Sequence, residues 1–120
     1  MKIIGWYAIE AIRLYPLIIL STFNVFIILW NYTEQGIKNV KDSPKRVNIY
    51  KSMLENAGGK LIETYYTFGQ YDGVSLVEAP NDEALMSCML PIGSLGNSRT
   101  VTLKAFSYDD ASKIIENIQQ

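Results

Sequence analysis

The side chains in this sequence that could do chemistry gather in two stretches. Tyr65, Tyr66, Tyr71 and Asp72 lie within GGKLIETYYTFGQYDGVSLVEAP, residues 58–80, and Asn97 and Arg99 lie within GSLGNSRTVTLKAF. A carboxylate, several phenols and a guanidinium suit one kind of reaction. Asp72 would take a proton, and Arg99 or a tyrosine would stabilise the negative charge that develops. That chemistry requires Asp72 and Arg99 to reach one substrate atom. Plainer roles compete for the same residues. An Asp beside Gly at a bend stabilises the turn, and a tyrosine pairs a large apolar body with one hydroxyl, which suits a core or an interface. The six are therefore candidates for the polar groups of a ligand pocket, and none is assigned a catalytic role.

Other side-chain types narrow the choice further. The chain has no histidine, which removes the commonest general base near neutral pH, the commonest metal ligand and every Ser-His or Cys-His pair. No Cys/Asp/Glu cluster has metal-ligand spacing and no Gly-rich loop suits a phosphate, so neither metal nor cofactor is expected. The one cysteine, Cys88, cannot form an internal disulfide, which makes a reducing compartment the default. It falls on an apolar stripe and reads as an inert core thiol. A net charge of −1 gives no overall attraction to nucleic acid or anionic lipid. Lys38, Lys41, Lys45, Arg46 and Lys51 make one segment basic. A solvated helix face explains them, and an anion site at a capped helix start is the sharper alternative.

These side chains need a scaffold. A length of 120 residues with 48% hydrophobic and 19% charged residues suits one packed domain. Residues 24–30 read as a strand in which Val25 through Trp30 are apolar without alternation, as in a strand covered on both faces. Thr33 caps a short turn. Ser43-Pro44 restarts a helix whose stripe is Val47, Tyr50, Met53, Leu54 and Ala57, and Gly58-Gly59 ends it. Two alternating runs around Gly69-Gln70-Tyr71-Asp72-Gly73 predict a hairpin, with Ile62, Thr64, Tyr66 and Phe68 on one face of its first strand. Pro80-Asn81 opens a second helix with Leu85, Cys88, Met89, Ile92 and Leu95 inward and Pro91 kinking or shortening it. Residues 99–106 form a strand. Ser107 caps a last helix whose buried face is Ala111, Ile114, Ile115 and Ile118. This order predicts an α+β, ferredoxin-like βαββαβ fold: a four-stranded antiparallel sheet, helices on one face and an extra C-terminal helix. The other sheet face then needs a cover, and a second copy of the chain is the simplest one.

Residues 1–22 form an apolar extension to a domain of residues 23–120. No charge occurs over residues 14–33, about the length of a bilayer span, but Pro16, Asn24 and Asn31 interrupt it. If made, the extension acts as a short apolar helix or weak anchor. Association with a membrane is expected only if residues 1–22 are expressed. A true start at Leu20 would leave the compact, cytoplasmic domain alone.

GGKLIETYYTFGQYD, VEAPNDEA and GSLGNSRTVTLKAF, preceded by TEQGIKNVKDSPKR, resemble the GYD-domain family of small prokaryotic proteins over about residues 24–118. The name-giving motif corresponds to Gly69, Tyr71 and Asp72, with Gln70 inserted. The resemblance implies a ferredoxin-like fold of the dimeric α/β-barrel superfamily and no established activity. Relatives in that superfamily include cofactor-free oxygenases, isomerases, haem enzymes and ligand-sensing halves of transcription regulators. It also implies a pocket between sheet and helices. The expectation is a homodimeric module, or a higher homo-oligomer, that binds a small apolar or aromatic molecule or stabilises an assembly without catalysis. It binds no nucleic acid. The alternative is a cofactor-independent isomerase or oxygenase using Asp72. The leader of residues 1–19 and Pro91 depart from the family pattern.

Overall fold

The computed structural model describes residues 24–119. The apolar extension, its anchor role and the start at Leu20 lie outside the described residues. Residues 24–105 fall in one compact unit, and residues 106–119 belong to a second.

Strand β1 (Asn24–Tyr32) is the spine of the first unit. It pairs antiparallel with β3 (Gly73–Ala79) on one side and β4 (Ser98–Ala105) on the other, and β2 (Lys60–Tyr66) pairs with β3, giving the order β2-β3-β1-β4. The apolar run of β1 fits that inner place. Phe26, Ile28 and Trp30 are buried on one face, and Val25, Ile27 and Leu29 are half-buried on the other. Register puts Ser75 and Val77 of β3 beside the first set, and Val74 and Leu76 beside the second.

Helices α2 (Ser43–Asn56) and α3 (Asp82–Ser94) supply Leu54, Leu85, Cys88 and Ile92 to a core with Phe26, Ile28, Val77 and Ala79. Burying each large aliphatic side chain contributes about 1.5–3 kcal/mol. Cys88 is a buried free thiol, as its place on the stripe predicts. Thr33 caps the short helix α1 (Glu34–Lys38), its Oγ1 accepting from the Gly36 N–H at 3.0 Å, and Asn81 caps α3 through the Ala84 N–H at 2.7 Å.

The structure corrects several local expectations. Ser43 does not cap α2. The helix starts at Ser43 itself, after Asp42 with no side-chain cap bond, which frees the Ser43 hydroxyl for the site below. Helix α3 runs on through Pro91 to Ser94, and Leu95 is exposed beyond its end. In β2 the pairing jumps from Leu61↔Val77 to Glu63↔Leu76, a bulge at Ile62. The extra residue resets the alternation, so Leu61, Thr64 and Tyr66 pair with residues of the helix-side face. Phe68 lies in the loop beyond β2, fully exposed.

In the second unit, Ser107 caps helix α4 (Tyr108–Glu116) as expected, accepting from the Asp110 N–H at 3.0 Å. None of its residues is fully buried; of the expected face, Ala111 and Ile114 are half-buried and Ile115 and Ile118 are exposed. No helix among the described residues is long and apolar enough to cross a membrane.

Candidate functional site

Helix α2 presents Ser43, Arg46, Val47, Tyr50 and Leu54 along one stripe at steps of one, three and four residues, which keeps them on a single side. That side faces the inner sheet surface across a partly open cavity of about 70 Å³. The sheet contributes Ile28, Trp30, Leu61, Thr64, Ser75, Val77, Ser98 and Thr100; α3 contributes Met89 and Ile92, and the following turn Asn97. The wall is mainly apolar, with a few polar groups, as small-molecule sites commonly are.

Most of those polar groups are already paired. Trp30 Nε1 donates to Ser75 Oγ at 3.3 Å, and Ser75 Oγ lies 3.1 Å from Thr64 Oγ1. Tyr32 OH donates to the buried Ser43 Oγ at 3.1 Å, and Ser43 Oγ lies 3.0 Å from Tyr66 OH. Trp30 meets the rings of Tyr32 and Tyr66 edge-on, at centroid distances of 5.4 and 5.7 Å. The Tyr50 hydroxyl differs: it is buried and has no hydrogen-bond partner among the described residues. Burial pushes its pKa up; the Arg46 charge and the nearby Ser98, outside hydrogen-bonding geometry, pull the other way. The phenol thus stays neutral at physiological pH and retains a donor.

Arg46 gives Nη1 to the Asn39 carbonyl at 3.0 Å and Nη2 to the Gly36 carbonyl at 3.3 Å. No carboxylate among the described residues pairs with it. No group of three or more His, Cys, Asp or Glu that could hold a metal occurs among the described residues.

The six candidates from sequence separate. Asn97 lines the cavity, with its Oδ1 accepting from Gln35 Nε2 at 3.0 Å. Tyr66 stands one hydrogen bond away, on Ser43, with its ring on Trp30. Tyr65 pairs with Val74 on the opposite sheet face and is 53% exposed. Arg99 is exposed and pairs with Asn31, between the cavity-lining Ser98 and Thr100; it does not line the cavity, and instead borders a hollow at the β4 edge with Met89, Leu90, Gly93 and Ser94 of α3. Tyr71 and Asp72 lie past the end of β2, outside the cavity wall. Among the described residues, Asp72 and Arg99 are both outside the wall of this cavity, so they do not meet in it. From sequence, Ser43 is expected as a cap, Tyr50 on an apolar stripe, and Arg46 in a basic run that is a solvated face or an anion site at the helix start; the structure places all three, with Val47 and Leu54, on the cavity side of α2.

Asp72 acts as a clasp. Its Oδ2 accepts from the Tyr32 backbone N–H at 2.8 Å, and its own N–H lies 2.9 Å from the Trp30 carbonyl and 3.1 Å from Asn31 Oδ1. Its carbonyl accepts from the Thr67 N–H at 2.9 Å, closing the hairpin, while Thr67 Oγ1 donates to the Tyr71 carbonyl at 2.6 Å. The motif thus ties the hairpin loop to the end of β1. Asp72→Ala leaves the part-buried Tyr32 N–H without an acceptor and is expected to cost about 1–3 kcal/mol in chemical denaturation. Asp72→Asn, which keeps a carbonyl oxygen, is expected to lose less than half as much. Equal losses would mean the carboxylate charge, not the acceptor, holds the clasp.

A four-stranded antiparallel sheet with two long helices on one face and a cavity between the layers defines a ferredoxin-like α+β domain. The GYD domain model matches residues 26–115, and the chain belongs to the GYD domain family. It is 31% identical over 86 residues to the "Glutamine synthetase and cystathionine beta-lyase binding protein" of Thermus thermophilus, across 71% of this chain and 90% of that one. Among solved structures it is similar to MtbAldR (Rv2779c) at a TM-score of 0.56 and 12% identity, over 83% of this chain. The chain spans 64% of the length of that structure, and the likeness is one of fold. A protein of unknown function from Rhodopseudomonas palustris, RPA0582, superposes at a TM-score of 0.46 with 13% identity, over 86% of this chain and 95% of that one.

Proposed function

We propose that this GYD-domain protein is a homodimeric, non-catalytic binding module whose helix-side cavity takes a small, mainly apolar molecule. The observation that carries the reading is the cavity of about 70 Å³ walled by Ile28, Leu54, Val77 and Ile92, with the buried Tyr50 hydroxyl left unpaired. A buried donor without a partner costs about 1–3 kcal/mol, and a ligand acceptor recovers that. The second copy covers the apolar sheet face opposite the cavity. A cytoplasmic setting belongs to the same proposal and rests on the single free thiol, Cys88.

Thermal-shift screening of small metabolites against the full chain tests it. A ligand present at a hundred times its Kd adds about 2.7 kcal/mol, a shift of several degrees. Val47→Phe, which fills the cavity, is expected to abolish that shift while far-ultraviolet circular dichroism stays unchanged. No stabilising compound in a broad library, or a shift that survives Val47→Phe, rejects the cavity as the site.

The name of the Thermus thermophilus relative favours a second reading, in which the module docks onto metabolic enzymes and steadies their assembly. Co-elution of the purified chain with glutamine synthetase from the same organism at micromolar concentrations is the expected result. Separate elution at every ratio rejects docking onto that enzyme.

A further inference from the structure

We propose that the cavity is selective for a small monocarboxylate with a compact apolar tail, its carboxylate held by Arg46, Tyr50 and Asn97. This rests on the reading of the cavity as a ligand site and assigns the chemistry of the ligand.

The cavity has a polar end and an apolar end. Arg46 is bound to the Gly36 carbonyl, and Gly36 lies in close contact with the Asn97 backbone, where a Cβ would overlap the carbonyl. Asn97 adjoins Ser98, the residue beside the Tyr50 hydroxyl. These contacts put the guanidinium, the phenol and the Asn97 amide at one end. One turn along α2 from Tyr50, Leu54 joins Val77 and Ile92 in the core, so hydrocarbon lies at the other end.

The polar end offers donors. Two guanidinium nitrogens of Arg46 are engaged by backbone carbonyls, and the group has five N–H in all, so donors remain. The Tyr50 O–H is unpaired. Asn97 uses its Oδ1 as acceptor from Gln35, which turns its amide NH₂ the other way, and no hydrogen bond engages that NH₂ among the described residues. Arg46 carries a full positive charge with no carboxylate partner among the described residues. Three donors, one of them charged, select an anion, and a planar guanidinium fork fits a carboxylate. The basic segment that includes Arg46 thus holds one half-buried residue that lines the cavity.

Size sets the tail. A cavity of about 70 Å³ suits a compact tail of a few carbon atoms. Branched or short straight-chain acids of four or five carbons meet that limit.

Isobutyrate and isovalerate are titrated into the full chain by calorimetry at low salt, beside their neutral amides, which have the same shape and number of heavy atoms. The acids are expected to bind at least about tenfold more tightly than the amides, a difference typical of one charge-assisted hydrogen bond. Tyr50→Phe is expected to weaken the acids about fivefold or more, and Arg46→Met to remove the preference for acid over amide. Arg46→Lys, which keeps the charge, guards against a loss that comes only from the severed backbone contacts and is expected to keep a preference for the acid. Amides that bind as tightly as acids, with binding lost in Val47→Phe, overturn the carboxylate assignment and leave the cavity reading standing. Acids that bind equally well to wild type, Arg46→Met and Val47→Phe overturn both.

Discussion

Gly73→Ala is expected to lower the melting temperature by about 10–20 °C. Gly73 opens β3 opposite Trp30, and a Cβ there would overlap the six-membered ring of the indole. The ring has no easy place to go. It is buried on the inner face, its Nε1 is bonded to Ser75, and its edges meet Tyr32 and Tyr66. Overpacking of this kind costs about 1–3 kcal/mol. Displacing the indole also loses the hydrogen bond, about 1 kcal/mol, and edge-to-face contacts of about 0.5–1.5 kcal/mol each. A net loss of about 2–4 kcal/mol corresponds to that drop in a domain of this size. Gly93→Ala is the internal control: it stands in α3 with open space around it, and alanine there is expected to raise stability by up to about 1 kcal/mol. A Gly73→Ala protein melting within 2 °C of wild type would show that the indole is not seated over this residue, and the cavity wall drawn from Trp30 would go with it.

The four-stranded sheet and three helix caps were legible because they follow from local rules. An unbroken apolar run asks for an inner strand, and β1 occupies one. Thr33, Asn81 and Ser107 accept from backbone donors where a cap is needed. The site was less legible, for two physical reasons. First, choosing residues by chemical type ignores the two-residue period of a strand. Tyr65 carries the right group but stands next to Thr64, which faces the cavity, so it faces away, and Arg99, between Ser98 and Thr100, is left out of the cavity wall. Second, one extra residue at Ile62 reverses the phase of β2, and nothing in the local sequence announces it. Thr64 and Leu61 enter the cavity wall only because of that bulge. Ser43 shows the converse. A serine before proline at a helix start reads as a cap, yet its hydroxyl is taken by Tyr32 and Tyr66, contacts set by the pairing of distant strands.

Ile27→Asp is expected to turn a dimer into a monomer while leaving the fold intact. On the face away from the helices, Ile27 stands opposite Leu76 on β3 and Leu103 on β4, flanked by Val25, Leu29, Val74 and Val101. Within the unit that carries the sheet, both long helices lie on the other side. Val101 and Leu103 are 47% and 45% exposed in the single chain. A contiguous aliphatic surface of that kind marks an interaction site in a soluble protein. If a second copy packs sheet against sheet, the two-fold axis places each Ile27 near the middle of the interface, and an aspartate there is buried without a partner. An uncompensated buried charge costs about 3–5 kcal/mol, and the symmetry imposes it twice, so the dissociation constant should rise by at least about four orders of magnitude. In the monomer Ile27 is only half-buried, and the carboxylate keeps its hydration, so circular dichroism and the Asp72 clasp should be unaffected. Light scattering after size exclusion separates the outcomes: dimeric wild type and Ile27→Val with monomeric Ile27→Asp supports the sheet-to-sheet interface. A dimer that tolerates Ile27→Asp must be built on another surface, and a monomeric wild type at micromolar concentration leaves no dimer for this face to make.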